Sequence, residues 1–349
     1  MPLNILFDIS HPSYVHLYKN IISNLKKQNH SIVITAQAHN SITGLLSSYN
    51  LDYVLLGEKV DGIASKIINQ VKLNRKMRST LKKYNVDLAI GGSTTVAHGA
   101  VLTSTRSVIF TDDDGDVVPL FARSTYPFAD KVIHPSCIRD RLGENKQVFV
   151  NSLKELAYLH PNHFEPDKMV LKYLGVNESE RYFIVRFSAL KAHHDYFAEG
   201  IKDKIKLIRF LEKYGRVFIS SESEVDGYLK KYIIDAPVTA MHSIMACAHL
   251  YVGDSQTMAS EAAVLATPSI RYNSFVGRLS YLDELEKKYQ LTFGFTPGEF
   301  DKMLETIQRL LVQKDLKEQW HARRSKLLLD KIDLTDWFVN YINSKKWIL

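Results

Sequence analysis

The chain has 349 residues, 45% of them apolar and 24% charged, with a formal net charge of +7. This composition is typical of folded globular proteins, and it excludes disorder, collagen and a coiled-coil rod as the main architecture. The length predicts about two domains. Two cysteines are too few for a disulfide framework or a cysteine-based zinc site. The positive charge permits nucleic acid, anionic lipid or phosphorylated ligands.

Short apolar runs alternate with helical patterns through the first half of the chain. Strands are predicted over 4–9, 31–37, 52–56, 87–92, 107–113 and 131–136. Between them, helices are predicted over 15–30, 41–50, 62–84 and 94–104. Strands that alternate with helices indicate parallel βαβ units.

The alternation pauses over 151–180, which contains Pro161 and Pro166, and then restarts. Further strands are predicted over 181–188, 216–221, 236–241, 249–254 and 268–273, and helices over 199–214, 222–233 and 299–346. We therefore expect an α/β protein with two Rossmann-like, doubly wound parallel-sheet domains that face each other across a cleft. The expected domains are residues 1–160 and 161–335, and residues 336–349 form a last helix that packs back toward the first domain.

Targeting signals are missing from the N-terminus, which begins directly with a strand-like run. It has neither the basic region nor the small-residue cleavage site of a signal peptide. No apolar run approaches the roughly 18 residues of a transmembrane helix. We expect a cytoplasmic protein.

The segment 252–275 has the strongest pattern in the chain. A strand ends at Gly253, a helix starts near Met258, and a polar turn joins them: Asp254, Ser255, Gln256 and Thr257. Free amides and the positive end of the helix suit a diphosphate, and Glu261, one turn further on, is placed to bind ribose hydroxyls. The alternative is an ordinary helix that Asp254 or Ser255 caps.

This segment resembles the donor-nucleotide signature of GT-B glycosyltransferases and of the related UDP-N-acetylglucosamine 2-epimerases. The resemblance implies that Glu261 holds the ribose and that the turn amides hold the diphosphate through Ser255, Gln256 and Thr257. Two features depart from the signature: the turn has no glycine pair, and Thr267 stands where the family has a glycine before proline.

The N-terminal segment 7–37 points the same way. Its features are a strand that ends in Asp8, a His11-Pro12 loop and a Val15-His16 pair, and these resemble the start of the domain-of-unknown-function 354 family. The segment 111–136 is similar to that family's middle portion. Members of the family look like GT-B proteins, so the resemblance implies a fold more than a reaction.

Two histidines are candidates for the base that an inverting transferase needs to take the proton of an acceptor hydroxyl. His11 and His16 follow the first strand, and histidine titrates in the useful range. Asp8 either acts itself or orients one of the rings. The alternatives are that His11 only hydrogen-bonds its loop and that His16 caps or packs.

The densest acidic cluster runs from Asp112 to Asp116. Its Asp-x-Asp pattern is one way to hold Mg²⁺ or Mn²⁺, as GT-A glycosyltransferases do. That interpretation conflicts with the two-domain pattern, so we favour a metal-free role in which Asp112 binds an acceptor hydroxyl or acts as a base. A solvated turn is the simplest alternative.

Basic residues follow the first strand of the second half. By resemblance to the epimerases, this loop lies near the phosphates. Its residues Arg186, Lys191, His193 and His194 are candidates to neutralise the leaving diphosphate in place of a metal. A solvated basic loop is the alternative. After a later strand, Arg271 and Asn273 are weaker candidates for the same site: they rest on position alone.

Residues 66–83 carry seven basic residues and no acid, interleaved with apolar positions. A basic amphipathic helix indicates an anionic membrane surface as partner, and the solvated face of a packed helix is the alternative. The aromatic C-terminal segment 336–349 packs against the first domain or touches lipid.

These observations favour a glycosyltransferase. It would move a sugar from a nucleoside diphosphate sugar, most commonly of UDP, to a hydroxyl acceptor, with inversion and without a metal. The acceptor would be a saccharide or a lipid-linked saccharide in surface-polysaccharide assembly. The alternatives are a non-hydrolysing UDP-sugar 2-epimerase and a non-catalytic scaffold. Nucleic-acid-binding motifs are missing, and the first strand–helix turn lacks the glycine pattern of a dehydrogenase.

Overall fold

A computed structural model describes residues 1–58, 62–138, 144–188, 200–221, 225 and 227–348. The chain forms two compact units. The first contains Met1–His163 together with Ile332–Leu349, and the second contains Phe164–Lys331. The expected domain limits were residues 160 and 335.

The first unit contains a seven-stranded parallel sheet in the order β3-β2-β1-β4-β5-β6-β7. Its strands are β1 Asn4–Ile9, β2 Ser31–Ala38, β3 Val54–Glu58, β4 Leu88–Gly91, β5 Arg106–Phe110, β6 Lys131–Pro135 and β7 Gln147–Val150. Its helices up to residue 125 are α1 Pro12–Lys27, α2 Asn40–Ser48, α3 Ile63–Lys83, α4 Thr94–Ala100 and α5 Pro119–Thr125. The strand order reverses between β1 and β4, which is where parallel sheets bind ligands.

The second unit contains a five-stranded parallel sheet in the order β12-β11-β10-β8-β9. Its strands are β8 Tyr182–Phe187, β9 Arg216–Ser221, β10 Leu250–Gly253, β11 Ser269–Tyr272 and β12 Thr292–Phe295. Its helices are α6 Leu171–Leu174, α7 Lys204–Leu211, α8 Met241–Cys247, α9 Gln256–Val264, α10 Ser280–Lys287, α11 Phe300–Leu311 and α12 Leu316–Asp330. Here the order reverses between β8 and β10.

The central strands are continuous apolar runs because parallel sheets are covered on both faces. Ile5, Leu6 and Phe7 of β1 are all fully buried, as are Phe183 and Ile184 of β8. This accounts for the agreement between the predicted and observed strands, and it confirms the α/β class with two parallel-sheet domains.

Several predicted elements differ from the structure. The strand predicted over 236–241 is wrong, because Val238–Ala240 forms a 3-10 turn that leads into α8. Pro237 cannot donate a ladder hydrogen bond, which disfavours a strand there. Strands β7 and β12 and helices α5, α6, α8 and α10 were not predicted. Of the helix predicted over 222–233, residues 222–224 and 226 lie outside the described residues, and Gly227–Tyr232 is a 3-10 helix.

The last helix, α13 Leu334–Asn343, belongs to the first unit. Phe338 packs on Phe110 at the end of β5, with ring centroids 5.6 Å apart, and on Tyr18 of α1. Trp347 is buried. The aromatic C-terminal segment therefore packs within the first unit. Among the described residues, no helix has both the length and the apolar character needed to cross a membrane.

Candidate functional site

The point of strand reversal in the second unit is held together by Asp254, which directly follows β10. Its carboxylate accepts a hydrogen bond from the Ser188 amide at 2.7 Å. Its own amide donates to the Arg186 carbonyl, and its carbonyl accepts from the Asn273 side chain at 3.0 Å. Burial raises the pKa of Asp254, and the hydrogen bond from Ser188 partly offsets this. Asp254 thus ties together the ends of β8, β10 and β11.

The start of α9 presents backbone amides at this edge. The Ser255 hydroxyl caps the helix by accepting from the Met258 amide at 3.3 Å. Helix geometry leaves the amides of Gln256 and Thr257 without an intrahelical acceptor. The capping alternative and the anion-site prediction are therefore compatible, because the cap uses the Met258 amide and not those of Gln256 and Thr257.

Glu261 is buried and contacts a histidine that the sequence analysis did not single out. His242 Nε2 lies 3.1 Å from Glu261 Oε1. His242 lies on α8, a helix that was not predicted, and Phe164 packs edge-on against its ring. Neither periodicity nor spacing singles out this short helix, Met241–Cys247, in which four consecutive positions from His242 to Met245 are buried.

Arg186 lies next to the turn, at the end of β8. It is half-buried, and its guanidinium donates to the Ser220 hydroxyl at 2.7 Å. A Cβ on the neighbouring Gly253 would lie 2.8 Å from Arg186 Cβ and 2.9 Å from its carbonyl oxygen, so the close approach of β8 and β10 requires glycine there. Lys191, with His193 and His194, lies outside the described residues.

The two departures from the family signature are accommodated locally. None of the residues 254–257 has a positive φ, so the turn adopts its conformation without glycine. Ahead of Pro268, the positive φ of 63° falls on Ala266 rather than on Thr267. The Thr267 hydroxyl donates to the Met245 carbonyl at 2.7 Å, which stabilises the side chain that replaces glycine.

The two weaker candidates in this region have structural partners. Arg271 is fully buried. Its guanidinium lies 3.0 Å from the Glu286 carboxylate and 3.9 Å from the Asp283 carboxylate. Asn273 is also buried, and its side chain bonds the Asp254 carbonyl and the Phe275 amide. Both residues hold the β11 end of the sheet in place.

In the first unit, Asp8 lies at the carboxyl end of β1, beside Gly91 of β4. It is buried and accepts hydrogen bonds from the hydroxyls of Thr35 at 2.8 Å and Ser93 at 2.6 Å. Burial raises its pKa, and these two hydrogen bonds partly offset the effect. The partners of Asp8 are therefore hydroxyls rather than the predicted histidines.

The two candidate bases have different surroundings. His11 is the N-cap of α1, and its Nδ1 accepts from the Ser13 amide at 3.2 Å. This places the proton of a neutral ring on Nε2. His16 stacks on Tyr158 with centroids 5.5 Å apart, and its Nδ1 lies 3.3 Å from the Tyr49 hydroxyl.

Asp112 forms a buried ion pair with a lysine that the sequence analysis did not identify. Lys154 Nζ lies 2.6 Å from Asp112 Oδ2, and the two side chains are 6% and 10% exposed. Lys154 lies in a 3-10 turn, Lys154–Ala157, inside the segment 151–180 where the predicted alternation of strands and helices pauses. An ammonium at this distance disfavours a divalent cation on the same carboxylate, because like charges repel.

The two parallel-sheet units, each with polar residues at its point of strand reversal, define a GT-B fold. The chain is similar to three solved structures that share it. The S. aureus MnaA–UDP co-structure is 11% identical with a TM-score of 0.67, over 98% of this chain and 96% of that one. The spinosyn forosaminyltransferase SpnP is 13% identical with a TM-score of 0.61, over 94% and 95%. The Neisseria meningitidis UDP-GlcNAc 2-epimerase bound to UDP-GlcNAc is 12% identical with a TM-score of 0.61, over 91% and 94%.

The chain belongs to the family described as "Protein of unknown function (DUF354)", whose model matches residues 3–338. The resemblance inferred from the sequence is thereby confirmed. No curated protein matches the chain.

Proposed function

We propose that this protein is a GT-B glycosyltransferase that moves a sugar from a nucleoside diphosphate sugar, most commonly of UDP, to a hydroxyl acceptor. The observation that carries the proposal is the point of strand reversal in the second unit. There the start of α9, Arg186 and the buried Glu261 meet the requirements of a diphosphate and a ribose. The solved structures with this fold include a glycosyltransferase and proteins in complex with UDP or UDP-GlcNAc.

The donor would be bound by groups of different chemistry. The amides of Gln256 and Thr257 and the positive end of α9 hold the diphosphate, while Arg186 and Lys191 supply positive charge. Glu261 accepts from the ribose hydroxyls, and His242 orients its carboxylate. Asp254 acts indirectly, by fixing the turn.

Transfer would proceed by one displacement. The acceptor oxygen forms a bond to the anomeric carbon, the bond from that carbon to the phosphate oxygen breaks, and the nucleoside diphosphate leaves. The hydroxyl proton passes to a base of the first unit, and the anomeric centre inverts. Of the two histidines, His16 is favoured as this base, because Nδ1 of His11 is engaged as the helix cap.

No metal is needed in this scheme. Cations of the protein and helix amides stabilise the leaving diphosphate. The ammonium of Lys154 beside Asp112 supports this part of the proposal, because it already balances the carboxylate that a metal would use. The nucleotide sugar is then a co-substrate, and Mg²⁺ has no required role.

The acceptor is proposed as a saccharide or a lipid-linked saccharide in surface-polysaccharide assembly. A lipid-linked acceptor would require a cytoplasmic protein that associates peripherally with the inner face of the membrane. Nucleic acid has no part in the proposal.

A second candidate is a non-hydrolysing UDP-sugar 2-epimerase, because an epimerase with UDP-GlcNAc bound is among the proteins of this fold. The two activities differ in their products. An epimerase converts UDP-GlcNAc into its C2 epimer without an acceptor, whereas a transferase releases the nucleoside diphosphate only when an acceptor is supplied. A non-catalytic scaffold would do neither.

Calorimetric titration with UDP, GDP, CDP, ADP and dTDP tests the proposal, first with EDTA and then with Mg²⁺. We expect one nucleotide to bind in EDTA, with little change on adding Mg²⁺. Binding only with Mg²⁺ would move the site to the acidic cluster at Asp112, and no binding would favour the scaffold.

Glu261→Gln tests the ribose contact. The amide keeps the volume and an acceptor for His242, so the fold should persist. Nucleotide affinity should fall about tenfold, since a hydrogen bond to a charged group is worth more than one to a neutral group. The matched control is Glu178→Gln, which removes an exposed carboxylate paired with Lys168 and should leave affinity unchanged.

A further inference from the structure

Helix α3 buries only part of its apolar surface. Leu73, Met77 and Leu81 lie on one face and pack in the core of the first unit with Leu56 and Ala97. These residues recur at intervals of four, as expected for a helix that is anchored along one side. They account for half of the apolar residues that the sequence interleaves with the basic ones.

The remaining apolar residues of α3 face outward. Ile67, Ile68 and Val71 are 64%, 59% and 45% exposed. A single exposed aliphatic residue is ordinary on a protein surface, but three within five residues form a patch. The alternative, a packed helix whose outer face is solvated, accounts for the buried apolar residues but not for this exposed apolar patch.

The same outer face carries the positive charge of the helix. At 100° per residue, Ile68, Lys72, Arg75 and Lys82 fall within one side of α3, opposite Met77. The exposed cations of this helix are Lys72, Arg75, Lys76, Lys82 and Lys83. The sequence Ile63–Lys83 contains no acidic residue to balance them.

We propose that the outer face of α3 docks on an anionic phospholipid membrane, with Ile67, Ile68 and Val71 inserted among the headgroups and the cations against the phosphates. Binding of a helix to a membrane surface scales with the apolar area that it buries and with the attraction of its cations to anionic lipids, and the outer face of α3 offers both. Aliphatic residues give no stacking platform for bases, so lipid is favoured over nucleic acid. The inference deepens the membrane part of the proposed function, but it depends on α3 alone.

Sedimentation with vesicles tests the surface. Vesicles of phosphatidylcholine alone should leave the protein in solution, and vesicles that also contain phosphatidylglycerol should bind it. Binding should weaken as salt is added, because the cations are screened. Equal binding to both vesicle types, or binding to single-stranded RNA with none to vesicles, would overturn the proposal.

Two double variants separate charge from insertion. K72Q/R75Q should reduce partitioning roughly 25-fold, at about fivefold for each cation near an anionic surface. I68S/V71S should reduce it at least about tenfold, through lost apolar burial. All four substituted side chains are exposed, so the fold should persist. Unchanged partitioning in both variants would refute the docking surface.

Matched controls remove the same chemistry elsewhere. K26Q/K27Q removes two exposed cations at the end of α1, and V312S/L329S removes two exposed aliphatic side chains of the second unit. Both controls should partition nearly as the parent protein does. Titration of the α3 variants with the nucleotide that binds should give parent affinity, so failure of the membrane inference and failure of the donor proposal are distinguishable.

Discussion

Removal of the Lys154 ammonium should strongly destabilise the first unit. Lys154→Met keeps the length of the side chain but leaves the Asp112 carboxylate buried without its partner at 2.6 Å. Breaking a buried ion pair in this way costs about 3–5 kcal/mol, because the remaining charge is uncompensated. For a unit of this size, each kcal/mol lowers Tm by about 2–4 °C, so we expect a decrease of roughly 6–20 °C.

Differential scanning calorimetry measures this decrease, and two further variants complete the test. Arg106→Met breaks an ion pair with Asp130 whose side chains are 49% and 28% exposed, and it should cost only about 0.2–1 kcal/mol. The double variant Lys154→Met with Asp112→Asn should recover most of the loss, because it removes both charges of the pair. If Lys154→Met costs no more than Arg106→Met, or if the double variant is the least stable, the reasoning from a buried pair is refuted.

Three further predictions concern single residues. His11→Asn should retain sugar transfer, measured as nucleotide release with an acceptor, because Asn is also a good N-cap; loss of transfer would identify His11 as the base. Gly253→Ala should weaken nucleotide binding in calorimetry, since the added Cβ meets the Arg186 backbone. Burial, with Lys317 nearby, lowers the pKa of His249 to about 4. The unfolded chain takes up that proton near pH 6.5, so the free energy of unfolding should fall as the pH falls between these values. His249→Asn should flatten this slope in urea unfolding, and an unchanged slope would contradict the assignment.

The central strands could be predicted from the sequence because burial on both faces leaves continuous apolar runs. Strands β1 and β9 were predicted with the bounds that the structure has. Strands β7 and β12 were missed, and each is an edge strand with a single neighbour in its sheet. Edge position is not the reason, because β9 is an edge strand too. Only one of the four residues of β7, and one of the four of β12, is buried, so neither strand gives a continuous apolar run.

The turn at 254–257 could be located because the carboxyl ends of parallel strands carry the ligand sites of such sheets. The partners of the acidic candidates Glu261 and Asp112 could not be predicted from the sequence. His242 lies 19 residues from Glu261, and Lys154 lies 42 residues from Asp112. Contacts over such separations depend on tertiary packing, which neither periodicity nor spacing encodes.

The first unit is assembled from both ends of the chain, whereas the second is one continuous segment. Domains generally fold in the order in which the ribosome delivers them. In the first unit, however, Phe110 and Tyr18 have no Phe338 to cover them until α13 has been synthesised. The seven strands of the first unit therefore precede the second unit in synthesis, but we expect the first unit to complete its packing only after α13 has been made.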